Sequence, residues 1–528
     1  MARDPNVLMV FPRFPERTFW SLRAACDFFG ARCPAPPLGL ITVAAMLPRE
    51  WRVRLIDRNA EELKAEDLNW ANLVMTGGML SQRQDTLAVM LLAQAYGKPV
   101  VVGGPDVTSS PDEYATADFR VLGEAENLLD QFIAAWRAGA SRGTFAGERA
   151  DVDVTTSPVP RFDLLNFKHY LNIGVQFSRG CPFNCEFCDI IELYGRIPRA
   201  KTNEQMLREL ESLYLAGYRG HVDFVDDNLI GNKKALKRFL PILREWQAAR
   251  CYPFQFSTEA SINLADDAQL LQMMREANFF FVFIGIESPD SQTLVATQKK
   301  QNTRRDIANG VRKIYEAGMV VTAGFIVGFD TERKGVAQAM VTCIEATCIP
   351  ACFVGLLTAL PGTQLTRRLG REGRMLAADA TLCLGDAAGL NFVTLRPRRE
   401  VLADYAEVLE GIYAPAAYFE RVRAMGRVLN LPHFHTFPVR GAIWGIRMLL
   451  AAVWQLGIRS AELRSHFWRT LIDIMIHRIG SLEAVVGMMI LYTHLGPFAR
   501  YVVGEVNRLL ATVDPALPPV SKSAQSGS

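Results

Sequence analysis

The chain has 528 residues, too long for one ordinary core, so two or three domains are expected. Apolar residues make up 49% and charged residues 21%, which excludes a globally disordered chain. The 58 basic and 55 acidic side chains leave a formal charge of +3, without the basic excess of a nucleic-acid binder, and ten cysteines are too sparse for a disulfide scaffold.

The opening residues run straight into a strand-like segment without the apolar stretch of a signal peptide, so a cytoplasmic, reducing location is expected. Residues 1–137 alternate continuous apolar runs at 7–11, 51–57, 73–76, 99–103 and 119–122 with helical patterns at 38–47, 82–96 and from about 126. That rhythm predicts a parallel sheet covered on both faces. Small and polar residues follow the strand ends at Gly77-Gly78, Gly103-Gly104-Pro105 and Gly123-Glu124, where open α/β sheets bind ligands. Residues 138–165, rich in Gly, Ser and Pro, read as a linker.

The pattern restarts over 166–365 with strands expected at 172–177, 221–225, 254–258, 280–286, 320–327 and 352–358, and helices between them. Six β-α units predict a partial parallel barrel whose chemistry sits at the strand C-termini. From 366 to 512 the sequence turns helix-rich, with apolar stretches at 441–458 and 484–495. Arg447 interrupts the first, and the second falls short of the roughly 20 residues a bilayer requires. Buried helices, or a face touching lipid or a greasy substrate, are expected there instead. The tail 513–528 is expected to be disordered.

Directly after the first barrel strand comes Ser178-Arg-Gly-Cys181-Pro-Phe-Asn-Cys185-Glu-Phe-Cys188. Three thiolates so close suit iron–sulfur, zinc or copper(I), although three unrelated cysteines in a turn would also satisfy the spacing. Zinc would call for a fourth ligand nearby, and none follows, since His221 is distant and Cys251 stands alone. A [4Fe–4S] cluster with three protein ligands leaves one iron open to an exogenous ligand.

This Cys-x3-Cys-x2-Cys, with the aromatic Phe187 before the last cysteine, resembles the radical S-adenosylmethionine superfamily. The resemblance implies that Cys181, Cys185 and Cys188 ligate three irons while S-adenosylmethionine chelates the fourth. One-electron cleavage then yields a 5′-deoxyadenosyl radical, the protein supplying the open site and the orientation. It also implies roles for polar residues ending other barrel strands: Asp226-Asp227-Asn228 at the methionine ammonium, Ser257 and Glu259 at the ribose and carboxylate, Glu287, and Gly324–Asp330 near the adenine. Singly, each such carboxylate is more often a helix N-cap or a solvated loop residue; four clusters on one rim shift the balance towards function.

The preceding module resembles the cobalamin-binding domain of B12-dependent radical enzymes. The positions that carry the likeness are 36–40, Asp57, Thr76-Gly77-Gly78, Gly103-Gly104-Pro105 with Thr108, and Gly123-Glu124. The Asp-x-His-x-x-Gly element that supplies an axial histidine elsewhere is absent, the comparable stretch being Asp57-Arg-Asn-Ala-Glu61, so no histidine ligand is expected. A G-x-G-x-x-G is absent too, which disfavours NAD. A module without cofactor is the plainer alternative.

The expected fold is therefore α/β: an N-terminal Rossmann-like cobalamin-binding domain, a partial (β/α)6 radical barrel and a helix-rich C-terminal extension. The extension resembles that of a bacterial subgroup that includes the hopanoid C-2 methylases, which act on a polycyclic lipid. Tyr413 and Tyr418 are candidates for the pocket, and His433 and His435 for a metal pair or a plain surface loop. The leading function is methylation of an unactivated carbon, with a [4Fe–4S] cluster, S-adenosylmethionine and cobalamin as cofactors. Ring closure, rearrangement or oxidation without methyl transfer is the enzymatic alternative, and a non-catalytic sensor or electron carrier the third. Expected partners are a small or lipid-like substrate and a flavodoxin- or ferredoxin-like electron donor, with no nucleic acid and with peripheral membrane contact.

Overall fold

Six parallel strands form the first sheet: β1 (Asn6–Phe11), β2 (Arg52–Asp57), β3 (Leu73–Thr76), β4 (Val100–Val102), β5 (Phe119–Leu122) and β6 (Gly143–Ala146), ordered β2-β1-β3-β4-β5-β6. The computed structural model describes residues 4–148, 150–303, 305–376, 382–384, 387–432 and 439–512. His433, His435 and the tail from 513 lie outside them. Strand alternation builds one apolar layer on each face of the sheet. Val7 and Met9 pack with Leu73, Phe132 and Trp136, whereas Leu8 and Val10 pack with Val74, Val89 and Val100.

Residues 138–165, expected to be a linker, contribute β6. Its four residues lack a β-branched run. What holds them is tertiary: Phe145 lies 6.5 Å from Phe119 and 6.0 Å from Phe132, and Gly143 N–H donates to Asp118 O at 2.9 Å. The short helices Arg23–Phe29, Ala65–Trp70 and Pro105–Ser109 were likewise not foreseen.

The second sheet holds β7 (Asn172–Val175), β10 (Gly220–Phe224), β11 (Phe254–Ala260), β12 (Phe279–Glu287), β13 (Val320–Val327) and β14 (Cys352–Leu356). All run parallel in the order β14-β13-β12-β11-β10-β7, an open half-barrel with β7 and β14 unpaired to each other. Between β7 and β10, the two-residue strands β8 (Ser178–Arg179) and β9 (Arg199–Ala200) pair antiparallel and close off the cysteine loop.

Beyond β14, the hairpin β15 (Leu382–Leu384) and β16 (Ala387–Gly389) interrupts an otherwise helical region. The 31-residue helix Leu482–Thr512 is its spine, with Val485, Met489, Leu495 and Val506 wholly buried, so the apolar stretch 484–495 is a core helix. Ile479–Ala511 is long and apolar enough to cross a membrane, yet 56% of its apolar window is buried inside the protein. It also anchors the N-terminal segment: Phe498 lies 4.4 Å from Phe19, and His494 Nε2 is 3.0 Å from Thr18 O.

Candidate active site

The cysteine loop leaves β7 at the carboxyl rim of the half-barrel. Gly180 adopts φ +94°, and a Cβ there would meet Gly195 O at 2.9 Å, so only glycine lets the chain turn into Cys181. Cys181 N–H donates to Gly195 O at 3.2 Å and Cys188 N–H to Cys185 O at 3.2 Å. Side-chain amides point at two of the sulfurs, Asn228 Nδ2 at 3.8 Å from Cys181 Sγ and Gln301 Nε2 at 3.6 Å from Cys185 Sγ. Burial pushes the Cys181 and Cys188 thiols up. Lys299 sits beside this loop, paired with Glu287 at 2.7 Å. Among the described residues, no three His, Cys, Asp or Glu side chains close round a single ion. That is expected of thiols that would each ligate a different iron of a cluster.

Asp226 and Asp227, at the end of β10, both reach the cysteine loop. Asp226 accepts from Phe177 N–H at 2.9 Å and from Ser178 Oγ at 2.6 Å, and Asp227 accepts from Gly180 N–H at 2.9 Å. They brace the cysteine loop from below. Burial pushes Asp226 up to about 7 and Asp227 up to about 6, against the hydrogen bonds they accept.

Residues paired in register share a face of the sheet, so the half-barrel interior can be read across its strands. Asp223, Ser257 and Phe281 are neighbours, as are Glu259 and Phe283, and Gly285, Gly324 and Phe353. The interior thus has a polar wall on β10–β11 and an aromatic wall on β12–β14, where Phe281, Phe283 and Phe353 remain only half-buried. On the polar wall His221 Nε2 lies 2.6 Å from Ser257 Oγ, which donates to Asp223. Glu259 Oε2 is buried without a partner, and burial, followed by the nearby Asp223, holds its carboxyl well above the usual range. The aromatic wall and Lys299, Gln301 and Arg179 were missed by the sequence reading. The only available signal was the alternation within Phe279-Phe280-Phe281-Val282-Phe283.

Burial lowers His221 to about 4. Between that value and the unfolded pKa of about 6.5, only the unfolded chain takes up the proton. The His221 contribution is therefore complete above pH 6.5 and is lost as pH falls towards 4. It amounts to at most about 3 kcal/mol, and less where water reaches the ring. Chemical denaturation of the wild type and His221→Gln should show a stability gap that shrinks across this window; a gap independent of pH would contradict it.

At the other sheet, the turns after β3 and β4 cross each other. A Cβ on Gly77 would lie 1.9 Å from Gly103 O, and Gly104 adopts φ +98° before Pro105. Thr108 Oγ1 donates to Gly104 O at 2.9 Å and accepts from Gly123 N–H at 3.0 Å, tying this turn to the end of β5. The Thr76 hydroxyl donates to Val10 O at 2.9 Å. Asp57 accepts from Asn59 N–H at 2.9 Å and from Asn59 Nδ2 at 2.8 Å, and burial raises its pKa. Glu124 reaches across to the half-barrel, 3.0 Å from Arg179 Nη1 and 2.9 Å from Arg199 Nη1, and Glu126 lies 2.7 Å from Arg179 Nη2. All four side chains are largely buried. Arg179 directly precedes Gly180-Cys181, so the carboxyl rims of the two sheets are pinned together at the cysteine loop.

Three family models match the chain in succession: "B12 binding domain" over 31–133, "Radical SAM superfamily" over 175–340 and "Domain of unknown function (DUF4070)" over 363–508. An uncharacterized methyltransferase of Synechocystis is 41% identical over 507 residues, 96% of this chain and 94% of its own. The hopanoid C-2 methylase of Rhodopseudomonas palustris is 36% identical over 506 residues, 94% of each. The chain belongs to the cobalamin-dependent radical S-adenosylmethionine methyltransferases. The solved cobalamin-dependent radical enzyme OxsB shares the fold at TM-score 0.58 and 16% identity, over 97% of this chain and 82% of that one.

As a member of this family, the chain is an enzyme, a C-methyltransferase whose cofactors are a [4Fe–4S] cluster, S-adenosylmethionine and cobalamin. The residues present fit each of them. Three thiols, two of them with an amide aimed at the sulfur, suit the cluster, and the partnerless Glu259 Oε2 suits a cationic or hydroxylated ligand beside it. The crossing of the two turns, where no Cβ can stand on Gly77, suits close approach of a corrin tail. Residues 1–137 contain no histidine, so an axial histidine from this module is excluded by composition.

A cavity of about 510 Å³ opens between the cysteine loop and the C-terminal region, lined by Phe187, Phe329, Thr297, Asp330, Arg368 and Arg374. Arg368 pairs with Glu186 at 2.6 Å and with Asp330 at 2.9 Å. The C-terminal region thus clasps the loop just before Phe187. Tyr413 and Tyr418 lie elsewhere: their hydroxyls donate to Cys352 O at 2.5 Å and Met488 O at 2.8 Å, and both rings are core.

Proposed function

We propose that this methyltransferase acts on an unactivated carbon of a lipid-like, polycyclic small molecule. The observation that carries the reading is the 36% identity to a hopanoid C-2 methylase over 94% of both chains, C-terminal region included. The half-barrel interior supports it, since an aromatic wall facing a polar one suits an apolar ring system with a polar end.

In this reading Cys181, Cys185 and Cys188 hold the cluster, and Asn228 and Gln301 donate hydrogen bonds to its sulfur shell. When bound, the cluster and S-adenosylmethionine supply a carbon radical, and cobalamin supplies the methyl group. Glu259 and Ser257 face the S-adenosylmethionine side, Glu287 holds Lys299 in place there, and Phe187 flanks the cavity of about 510 Å³ that, beside Asp330, takes the adenine. Gly77, Gly103, Gly104, Pro105 and Gly123 leave room for the corrin tail, while Asp57, Thr76, Thr108 and Glu124 keep those turns in position. A flavodoxin- or ferredoxin-like donor supplies electrons, in the cytoplasm and in contact with a membrane.

The test is anaerobic reconstitution followed by incubation with S-adenosylmethionine, reduced flavodoxin and a pentacyclic hopanoid. About four irons and one corrin per chain, with product heavier than substrate by one CH₂, are expected. Steady 5′-deoxyadenosine with unchanged or hydrogen-depleted substrate would replace methylation by ring closure or oxidation.

A further inference from the structure

Among the described residues, 18 large apolar side chains are left exposed, and nine of them fall within residues 446–479. Ile446, Leu450, Trp454 and Ile458 recur every four residues along the helix Val439–Ala452 and the π-helical turn Val453–Arg459. Such a stripe drifts round an α-helix, and the wider π turn rotates it back, so the four stay together. Trp468, Ile472, Met475, Ile476 and Ile479 form a matching stripe on and just beyond the helix Arg464–His477. The two helices touch: Trp468 Nε1 donates to Gly457 O at 3.0 Å, and a Cβ on Gly457 would lie 2.8 Å from Phe467. Their opposite faces, with Leu456, Phe467 and Ile474, are in the core. The segment is apolar on both sides but covered on one, and Trp454 and Ile476 stand 60% and 71% exposed.

Charge says what covers the other side. Residues 439–479 carry six arginines against two acids, Glu462 and Asp473. Both acids already have partners, Asp473 at 2.5 Å from Arg427 and Glu462 at 3.3 Å from Arg500. Arg447, Arg459 and Arg469 are exposed beside the stripes. Apolar stripes edged by exposed arginines and tryptophan, with both nearby acids already paired, match the headgroup boundary of an anionic bilayer.

We propose that the paired helices of 439–479 are the membrane-docking face of this enzyme, lying in the interface of an anionic bilayer. This rests on the membrane contact proposed above and specifies its surface and lipid charge. Flotation of the reconstituted holoenzyme with vesicles tests it. Wild type should float with equimolar phosphatidylglycerol–phosphatidylcholine and not with phosphatidylcholine alone. Arg447→Gln/Arg459→Gln/Arg469→Gln should reduce partitioning about 10²-fold, and Trp454→Glu/Ile476→Glu should abolish flotation with cofactor content unchanged. Because docking needs no turnover, Cys185→Ala should float like wild type, which separates this proposal from the methylation reading. It is overturned if wild type does not float, if the arginine variant floats undiminished, or if light scattering shows a lipid-free dimer that Trp454→Glu/Ile476→Glu turns into monomer.

Discussion

Replacement of Cys185 by alanine is expected to end both 5′-deoxyadenosine release and methylation, while the chain keeps about one corrin. Cys185 is buried with its sulfur 3.6 Å from Gln301 Nε2, in a loop whose geometry depends on Gly180 and on Asp226 and Asp227 beneath it. Alanine leaves two thiols where three irons would need ligands, so the cluster and its open coordination site are lost together. Both products should fall by at least about 10³-fold, to background, since no step of radical generation remains. The corrin turns belong to another sheet, and nothing in the Gly77–Gly103 crossing depends on Cys185. Iron and corrin quantitation with product analysis checks this. Methylation that survives in Cys185→Ala would sink the radical mechanism.

Arg179→Met should uncouple the two halves of the site. Arg179 is held between Glu124 at 3.0 Å and Glu126 at 2.7 Å, with all three side chains at most 13% exposed. Burial opposes the charges, but the pairing outweighs it, raising the pKa of Arg179 and lowering that of Glu126. Removing the cation strands buried carboxylates, at a cost of about 3–5 kcal/mol. Arg199, 2.9 Å from Glu124, offsets part of it. Methylation depends on the corrin and the radical source facing one substrate, and a displacement of about 1 Å can cost about 10²-fold. The expected result is an earlier first unfolding transition and a rise in 5′-deoxyadenosine formed per methyl transferred. Adding Glu126→Gln, which leaves Glu124 paired with Arg199, should recover stability but not coupling. A variant with the wild-type ratio of products would show that the pair holds the domains together without aligning them.

Much of the site was legible because its chemistry is local in the chain. Cys181, Cys185 and Cys188 fall within eight residues, and the glycine turns follow strands whose apolar runs are continuous. What could not be read was any partner separated by a long stretch of chain. Lys299 reaches the cysteine loop from over a hundred residues away, and Arg368 reaches Glu186 from the start of the C-terminal region. Glu124 and Asp226 show the limit most clearly. Both lie at strand ends as expected, and both have their carboxylates engaged by the protein itself, with Arg179 and with the loop backbone.

By itself, the sequence determined the order of the modules, most strands of the two sheets and the close spacing of the three cysteines, because each follows from residues adjacent in the chain and from alternation along it. Only the tertiary structure decided which carboxylates brace the loop and which stays free, that β6 joins the first sheet, and that one helix pair turns an apolar face outward. Hydrogen-bond satisfaction and burial depend on what packs against a residue, and that neighbour usually lies far away in sequence.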